Sequence, residues 1–447
     1  MTRPALPSAG ATAVPAAEPH AALARLLPQF HQVRAQTLAL VDGLSEEDCA
    51  LQSMPDASPA KWHLAHVTWF LEVFALERFE PGFRPFHPAF RMLFNSYYNG
   101  VGEKHPRAER GLVSRPGLPT VVTYRAEVEG RLDALARAPG LSAADAAGLA
   151  EVVELGIHHE QQHQELLLTD LKHLFSRNPL LPAWREGWPP IPVAAAPAGW
   201  FACEGGLDTT GVPGTGFAFD NERPMHRTFV EPFEIARRPV SCGEVIAFIE
   251  AGGYRRPECW LSAGWDTVQA RGWQAPLYWE RDAGGDRQTS GWSTFTLRGP
   301  VAVSPDVPAV HLSHYEADAI ARWLGARLPT EFEWERIARG YPVEGNLLEA
   351  GLCHPAEPMA PSRPGQPAQL FGDVWEWTQS AYLPYPGYCT AAGAIGEYNG
   401  KFMSQQLVLR GGSCATPRSH LRATYRNFFP PDARWQFSGA RLARDAR

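Results

Sequence analysis

The chain has 447 residues, a formal net charge of -7 and ordinary globular composition, 45% hydrophobic and 20% charged. That length suits two or three domains of roughly 150 residues each. No Lys/Arg cluster forms the basic stripe of a nucleic-acid binder, and no run of about eighteen apolar residues is present to span a membrane.

The seven cysteines (Cys49, Cys203, Cys242, Cys259, Cys353, Cys389 and Cys414) are scattered and contain no Cys-x2-Cys pair. This odd set argues against a disulfide framework and predicts a reducing, cytoplasmic setting.

Residues 1–19 are rich in Ala and Pro and lack an apolar run of signal-peptide length, which predicts a disordered tail. Leu23, Leu26, Leu27, Phe30, Val33, Leu38 and Val41 then recur near helical spacing, predicting a first helix over His20 to Leu44, disturbed at Pro28. Ser58-Pro59 reads as an N-cap followed by an N1 proline. It opens a second helix through Trp62, His66, Trp69 and Phe74 to about Phe79. His66 falls among the apolar positions of that helix, where a histidine is either a hydrogen-bonded core residue or a ligand; His63, one turn earlier, is the competing candidate.

Pro81 to Pro119 is a long irregular connection carrying Asn95-Ser96-Tyr97-Tyr98-Asn99, Arg107 and Arg110. Loops of this length are disordered or functional, and the aromatics and arginines argue against disorder. A third helix is predicted over Thr120 to Arg137. A fourth runs from Ala143 to Arg177 after the Ser142 cap. On the fourth, His159 and His163 stand at i and i+4, one turn apart on one face, the spacing with which two imidazoles grip one metal ion. The plainer reading is a pair of solvated or core histidines. Four helices around an inward metal site are a known bundle design.

Pro179 to Pro197 is proline-rich and marks a boundary, with residues 181–196 as linker. Beyond it the chain turns to short runs with many Gly, Pro and Trp residues. Helices are predicted only over Ser241 to Ala251, over Ser313 to Gly325 and after Pro329-Thr330-Glu331, where Thr330 to Glu333 resembles a capping box.

Three imidazoles without a thiolate suit Zn(II), Fe(II) or Cu, and three protein ligands leave positions open for catalysis. His159-Glu160-Gln161-Gln162-His163 also matches His-Glu-x-x-His, the zinc-protease pattern with Glu160 as general base. However, Leu166 and Thr169 stand where the extended pattern has Gly and His.

Later motifs are more specific. Ala326-Arg327-Leu328-Pro329-Thr330-Glu331, Gly372-Asp373-Val374-Trp375-Glu376-Trp377, Leu409-Arg410-Gly411-Gly412-Ser413 and Phe437-Ser438-Gly439-Ala440-Arg441-Leu442 occur in order. Together they closely resemble the formylglycine-generating-enzyme/sulfatase-modifying-factor domain, a C-type-lectin-like fold, over residues 197–447. Residues 20–180 resemble a DinB-like four-helix bundle. The pairing, an α+β architecture, resembles the ergothioneine-biosynthesis sulfoxide synthases.

That resemblance implies iron ligands at His66, in Leu64-Ala65-His66, and at His159 and His163. It implies an O2-dependent Fe(II) enzyme that bonds cysteine or gamma-glutamylcysteine to C2 of the imidazole of N-alpha-trimethylhistidine (hercynine), with a tyrosine as proton donor. Tyr97 and Tyr98 are the candidates, in a loop that looks like the cysteine-using branch. Arg107 and Arg110 suit the donor's carboxylate. Gln162 resembles the family's contact to the hercynine imidazole. Asn427 matches an asparagine near its carboxylate and ammonium, beside Phe428 and Phe429, which suit a quaternary ammonium.

Trp375 and Trp377 read as core, and Glu165 as a residue behind the ligands or in helix packing. The two metal-binding cysteines of formylglycine-generating enzymes have no counterparts in Cys414-Ala415-Thr416-Pro417-Arg418-Ser419-His420-Leu421, which argues against formylglycine synthesis. The other readings are an ovothiol-type synthase, a non-catalytic lectin-like binding module and a zinc protease.

Overall fold

The computed structural model describes residues 17–189, 199–214, 216–281, 291–358 and 365–446. Most of the expected tail, residues 1–16, and residues 190–196 of the expected linker lie outside the described residues.

Four main helices build the N-terminal bundle: α1 (Ala17–Val41), α2 (Ala60–Leu71), α3 (Leu118–Ala136) and α4 (Ala143–Ser176). α1 runs on through Pro28 and buries Leu23, Leu27, Phe30 and Val33 against its neighbours; this packing carries the helix past the expected disturbance. Every residue of α2 is buried, as expected of a helix enclosed on all sides. α2 continues through a π-helical turn, Glu72–Leu76, to Phe79. Ser142 caps α4, its hydroxyl accepting from the Asp145 N–H at 3.1 Å. Gly156 sets how closely α4 approaches α2, because a Cβ there would stand 2.8 Å from a methyl of Leu71.

Ser58 departs from its expected role. The cap position falls on Pro59 and no side chain caps α2. The Ser58 hydroxyl instead accepts from Arg110 at 2.9 Å, and its N–H donates to Asp170 at 2.8 Å. Tertiary partners have taken both groups from the helix end. The long connection is mostly irregular, with one helical turn at Phe90–Leu93 and a 3-10 turn at Arg107–Leu112.

The C-terminal part is an α+β fold built from small sheets. Its central sheet has the order Asn427–Phe429, Leu407–Arg410, Trp375–Ala381, Ser438–Ala440, antiparallel except for the last pair. A second sheet joins Trp200–Cys203, Phe233–Ala236 and Ala443–Asp445. Ser241, Ser313 and Thr330 each cap a helix through a capping box.

A further helix, Ser262–Arg271, was not expected. It has no side-chain cap and buries only Gly264 and Val268, so it carries almost no apolar periodicity. The bundle core runs on without a break into Phe295, Val310, Val374 and Phe437, so the two parts share apolar packing. No described helix is long and apolar enough to cross a membrane.

Candidate active site

α2 and α4 bring His66, His159 and His163 together, each with a ring nitrogen within 4.8 Å of the others, and all three are buried. Hydrogen bonds fix which nitrogen of two of them is free. His66 Nδ1 donates to the carbonyl of Phe94 at 2.7 Å, which leaves the Nε2 lone pair, and that atom has no partner. The Asp170 carboxylate accepts from His63 Nε2 at 3.0 Å. His63 Nδ1 lies 2.8 Å from His163 Nδ1, which occupies that atom and leaves Nε2 as the His163 nitrogen available to the triad. Neither nitrogen of His159 has a partner.

Burial, reinforced by the neighbouring imidazoles, holds His66 and His163 well below the ordinary histidine value, and burial takes His159 down to about 4. All three are thus neutral near pH 7. Buried polar atoms without partners are rare and call for an explanation. Three converging lone pairs on neutral imidazoles fit one divalent transition-metal ion.

The same geometry separates the ligand candidates from their neighbours. His63 stands behind His163 as a hydrogen-bond partner. His158 points away from the triad, stacked on Phe217 at 3.8 Å and paired with His420. Histidines that ligate metals generally depend on such carboxylate-backed support. Asp170→Asn is therefore expected to lower metal affinity by roughly 10–100-fold while all three triad histidines remain. Competition with a chromogenic chelator reads this directly, and an unchanged affinity would remove His63 and Asp170 from any orienting role.

Glu160 cannot serve as a protease base. Its carboxylate takes Arg34 at 3.0 Å and Arg125 at 2.7 Å inside the bundle. Burial alone would raise its pKa, but the two guanidinium groups bring it down to about 2.

A cleft of about 270 Å³ opens beside His163, between the bundle and the C-terminal sheet. Arg107, Arg110, Gln162, Tyr97, Asn427, Phe428 and Phe429 all line it. Arg110 is buried, lies 3.4 Å over the ring of Trp62, and donates to Ser58 and Ser96. Among the described residues no carboxylate lies within ion-pair distance of it, and its Nε has no partner. Burial first, and Arg107 second, lower its pKa to about 9, so it remains a cation. A buried cation with no carboxylate in contact is costly; the more distant Asp170 offsets part of that cost, and the cleft leaves room beside the guanidinium for an anion. Arg107 is exposed and donates to the Asp56 carbonyl.

Gln162 is oriented by a chain of donors. Its amide N–H donates to the Tyr425 hydroxyl at 2.7 Å, Tyr425 lies 3.1 Å from His420 Nε2, and His420 Nδ1 lies 3.1 Å from His158 Nδ1. The Gln162 carbonyl oxygen, without a partner, is left to accept. Phe428 stacks on Tyr382 at 4.1 Å, and the Asn427 side-chain carbonyl accepts from the Phe428 N–H.

Tyr97 lines the cleft and contacts Tyr98, Tyr398 and Phe402, whereas Tyr98 packs on Trp69, Phe70 and Phe74. Tyr398 was missed in the sequence. It reaches in from the C-terminal part, with its ring 5.4 Å from Tyr97 and 6.5 Å from His159. Only the neighbouring Glu397 hints at it: that carboxylate accepts from the N–H groups of Asn99 and Gly100, tying this segment to the tyrosine loop.

Glu165, two residues past His163, faces the other part of the molecule. Its carboxylate accepts from Trp375 at 2.8 Å, from Thr416 at 2.6 Å and from Ser413. Gln161 donates to Ser419 at 2.6 Å. α4 is thus seated along the 413–425 segment.

Residues 195–446 match the family described as Sulfatase-modifying factor enzyme 1-like domain, and residues 29–167 match the DinB superfamily. The hercynine oxygenase of Mycolicibacterium thermoresistibile is 34% identical over 466 residues, covering 96% of this chain and 96% of its own length. That of Mycobacterium tuberculosis is 35% identical over 451 residues, covering 93% and 97%. The formylglycine-generating enzyme of Streptomyces coelicolor is 29% identical and covers 52% of this chain.

Proposed function

The chain belongs to the hercynine oxygenase family of sulfoxide synthases, and from that premise we propose that it is a non-haem Fe(II), O2-dependent enzyme of ergothioneine biosynthesis. It bonds the sulfur of cysteine or gamma-glutamylcysteine to C2 of the imidazole of hercynine. The reaction balances with one O2: one oxygen atom ends on sulfur as the sulfoxide. The other leaves as water with the hydrogens of C2 and the thiol.

The observation that carries this reading is the buried, converging triad of His66, His159 and His163, set beside a cleft lined by Arg110, whose guanidinium has no carboxylate partner among the described residues. When bound, iron(II) supplies redox electrons and open positions where a thiolate and an imidazole meet. The chain's own residues do the rest. Arg110, with Arg107 at the rim, takes the carboxylate of the thiol donor, since guanidinium and carboxylate match in shape and charge. The Gln162 carbonyl accepts the imidazole N–H of hercynine. Asn427 receives its carboxylate end, and the faces of Phe428 and Phe429 receive the trimethylammonium.

Burial raises the pKa values of Tyr97, Tyr98 and Tyr398 above the ordinary phenol value, so each keeps its proton at neutral pH and can donate it. Tyr398 joins Tyr97 and Tyr98 as a candidate, since it contacts both Tyr97 and His159.

The test is anaerobic loading with Fe(II), followed by oxygen uptake with hercynine plus either thiol and mass analysis of the product. A hercynyl sulfoxide formed only with iron and O2 is the expected result, and the better of the two thiols names the donor. Stoichiometric iron with no uptake from either thiol would overturn the reading.

A further inference from the structure

A second cavity, of about 280 Å³, lies on the His159 side of the triad. Its walls are largely apolar, with Phe70, Leu155, Phe217, Phe219 and Ile395 facing in. The charged groups on its rim are already engaged: Asp220 accepts from Tyr388 and Asn399, and Arg223 donates to the carbonyls of Pro213 and Gly216. They offer little to a polar ligand. Gln162 and Tyr398 line both this cavity and the polar cleft, so they form the partition between the two.

We propose that this second cavity receives and holds dioxygen, apart from the cleft in which the two polar substrates meet. The inference rests on the O2-dependent reading given above. Two zwitterionic substrates seated beside His163 obstruct the cleft as a way in, so a third, apolar reactant needs its own approach. Dioxygen carries no charge and almost no dipole, and it gains by leaving water for an apolar space. An apolar cavity of about 150 Å³ binds xenon, and the apolar wall of Phe70, Leu155, Phe217, Phe219 and Ile395 gives this cavity room for an atom of that size. Ala391, exposed on the lining, marks a mouth toward solvent.

Crystals of the unaltered protein pressurised with xenon test the site without any turnover. Xenon density beside Leu155 and Phe219 is the expected result; ordered water filling the cavity, or no xenon there, would overturn the proposal. Ala391→Trp and Leu155→Trp test the route from its two ends. Each is expected to raise KM for O2 roughly tenfold, with kcat at saturating oxygen and both KM values for the polar substrates unchanged. If KM for O2 stays at the unaltered value in both folded variants, the cavity is not the approach, whatever xenon does. If the unaltered protein takes up no oxygen with hercynine and either thiol, it is the reaction assignment that fails, and the xenon result alone decides whether the cavity takes an apolar gas.

Discussion

His159→Ala is expected to lose metal and product together. Four-ligand zinc sites hold about 10–16 kcal/mol of apparent binding energy, or about 2.5–4 kcal/mol per ligand, so losing one ligand is expected to cost on the order of a hundredfold in metal affinity. Iron content after desalting and sulfoxide yield should fall in parallel. His158→Ala is the control, because that ring is directed at Phe217 and His420 and away from the triad. Metal retention by His159→Ala, or equal metal loss in both variants, would dismantle the assignment of ligands.

Arg110→Met should strike one substrate and spare the other. Truncating one partner of a buried, hydrogen-bonded charge pair removes about 2–5 kcal/mol. The thiol donor's kcat/KM is therefore expected to fall by roughly thirtyfold or more, with little change in KM for hercynine. Arg107→Met removes a charge that is exposed and screened, and a loss of about 1 kcal/mol or less is expected. Because Arg110 also lies over Trp62, a thermal melt of each variant separates lost binding from lost packing. Equal losses for both substrates would place Arg110 in the scaffold and not in recognition.

The bundle was legible because α1 carries its buried apolar residues near helical spacing and α4 opens on the Ser142 cap. His159 and His163 could be paired by spacing alone, since both stand on one helix. His66 could not be separated from His63 in that way. What distinguishes them is the Phe94 carbonyl, supplied by a loop, and the His63 link to Asp170 on another helix. These are tertiary hydrogen bonds with no local signature. Tyr398 and the Ser262–Arg271 helix escaped notice for related reasons. One follows a short turn in an irregular region, and the other presents too little apolar surface to show a period. The Ser58 cap was misread because a hydroxyl that ordinarily closes a helix end is claimed here by Arg110.

The carboxylate of Glu165, gripped by Trp375, Ser413 and Thr416, has a consequence for how such an enzyme can be inherited. The helix that bears two of the triad histidines is moored to a turn belonging to the other half of the chain. Exchanging either half for a cousin's would have to preserve both sides of that mooring at once. The two halves are therefore expected to diverge in step, and a chimera joined near residue 190 should recover its metal site only when the Glu165 contacts are transplanted as a set.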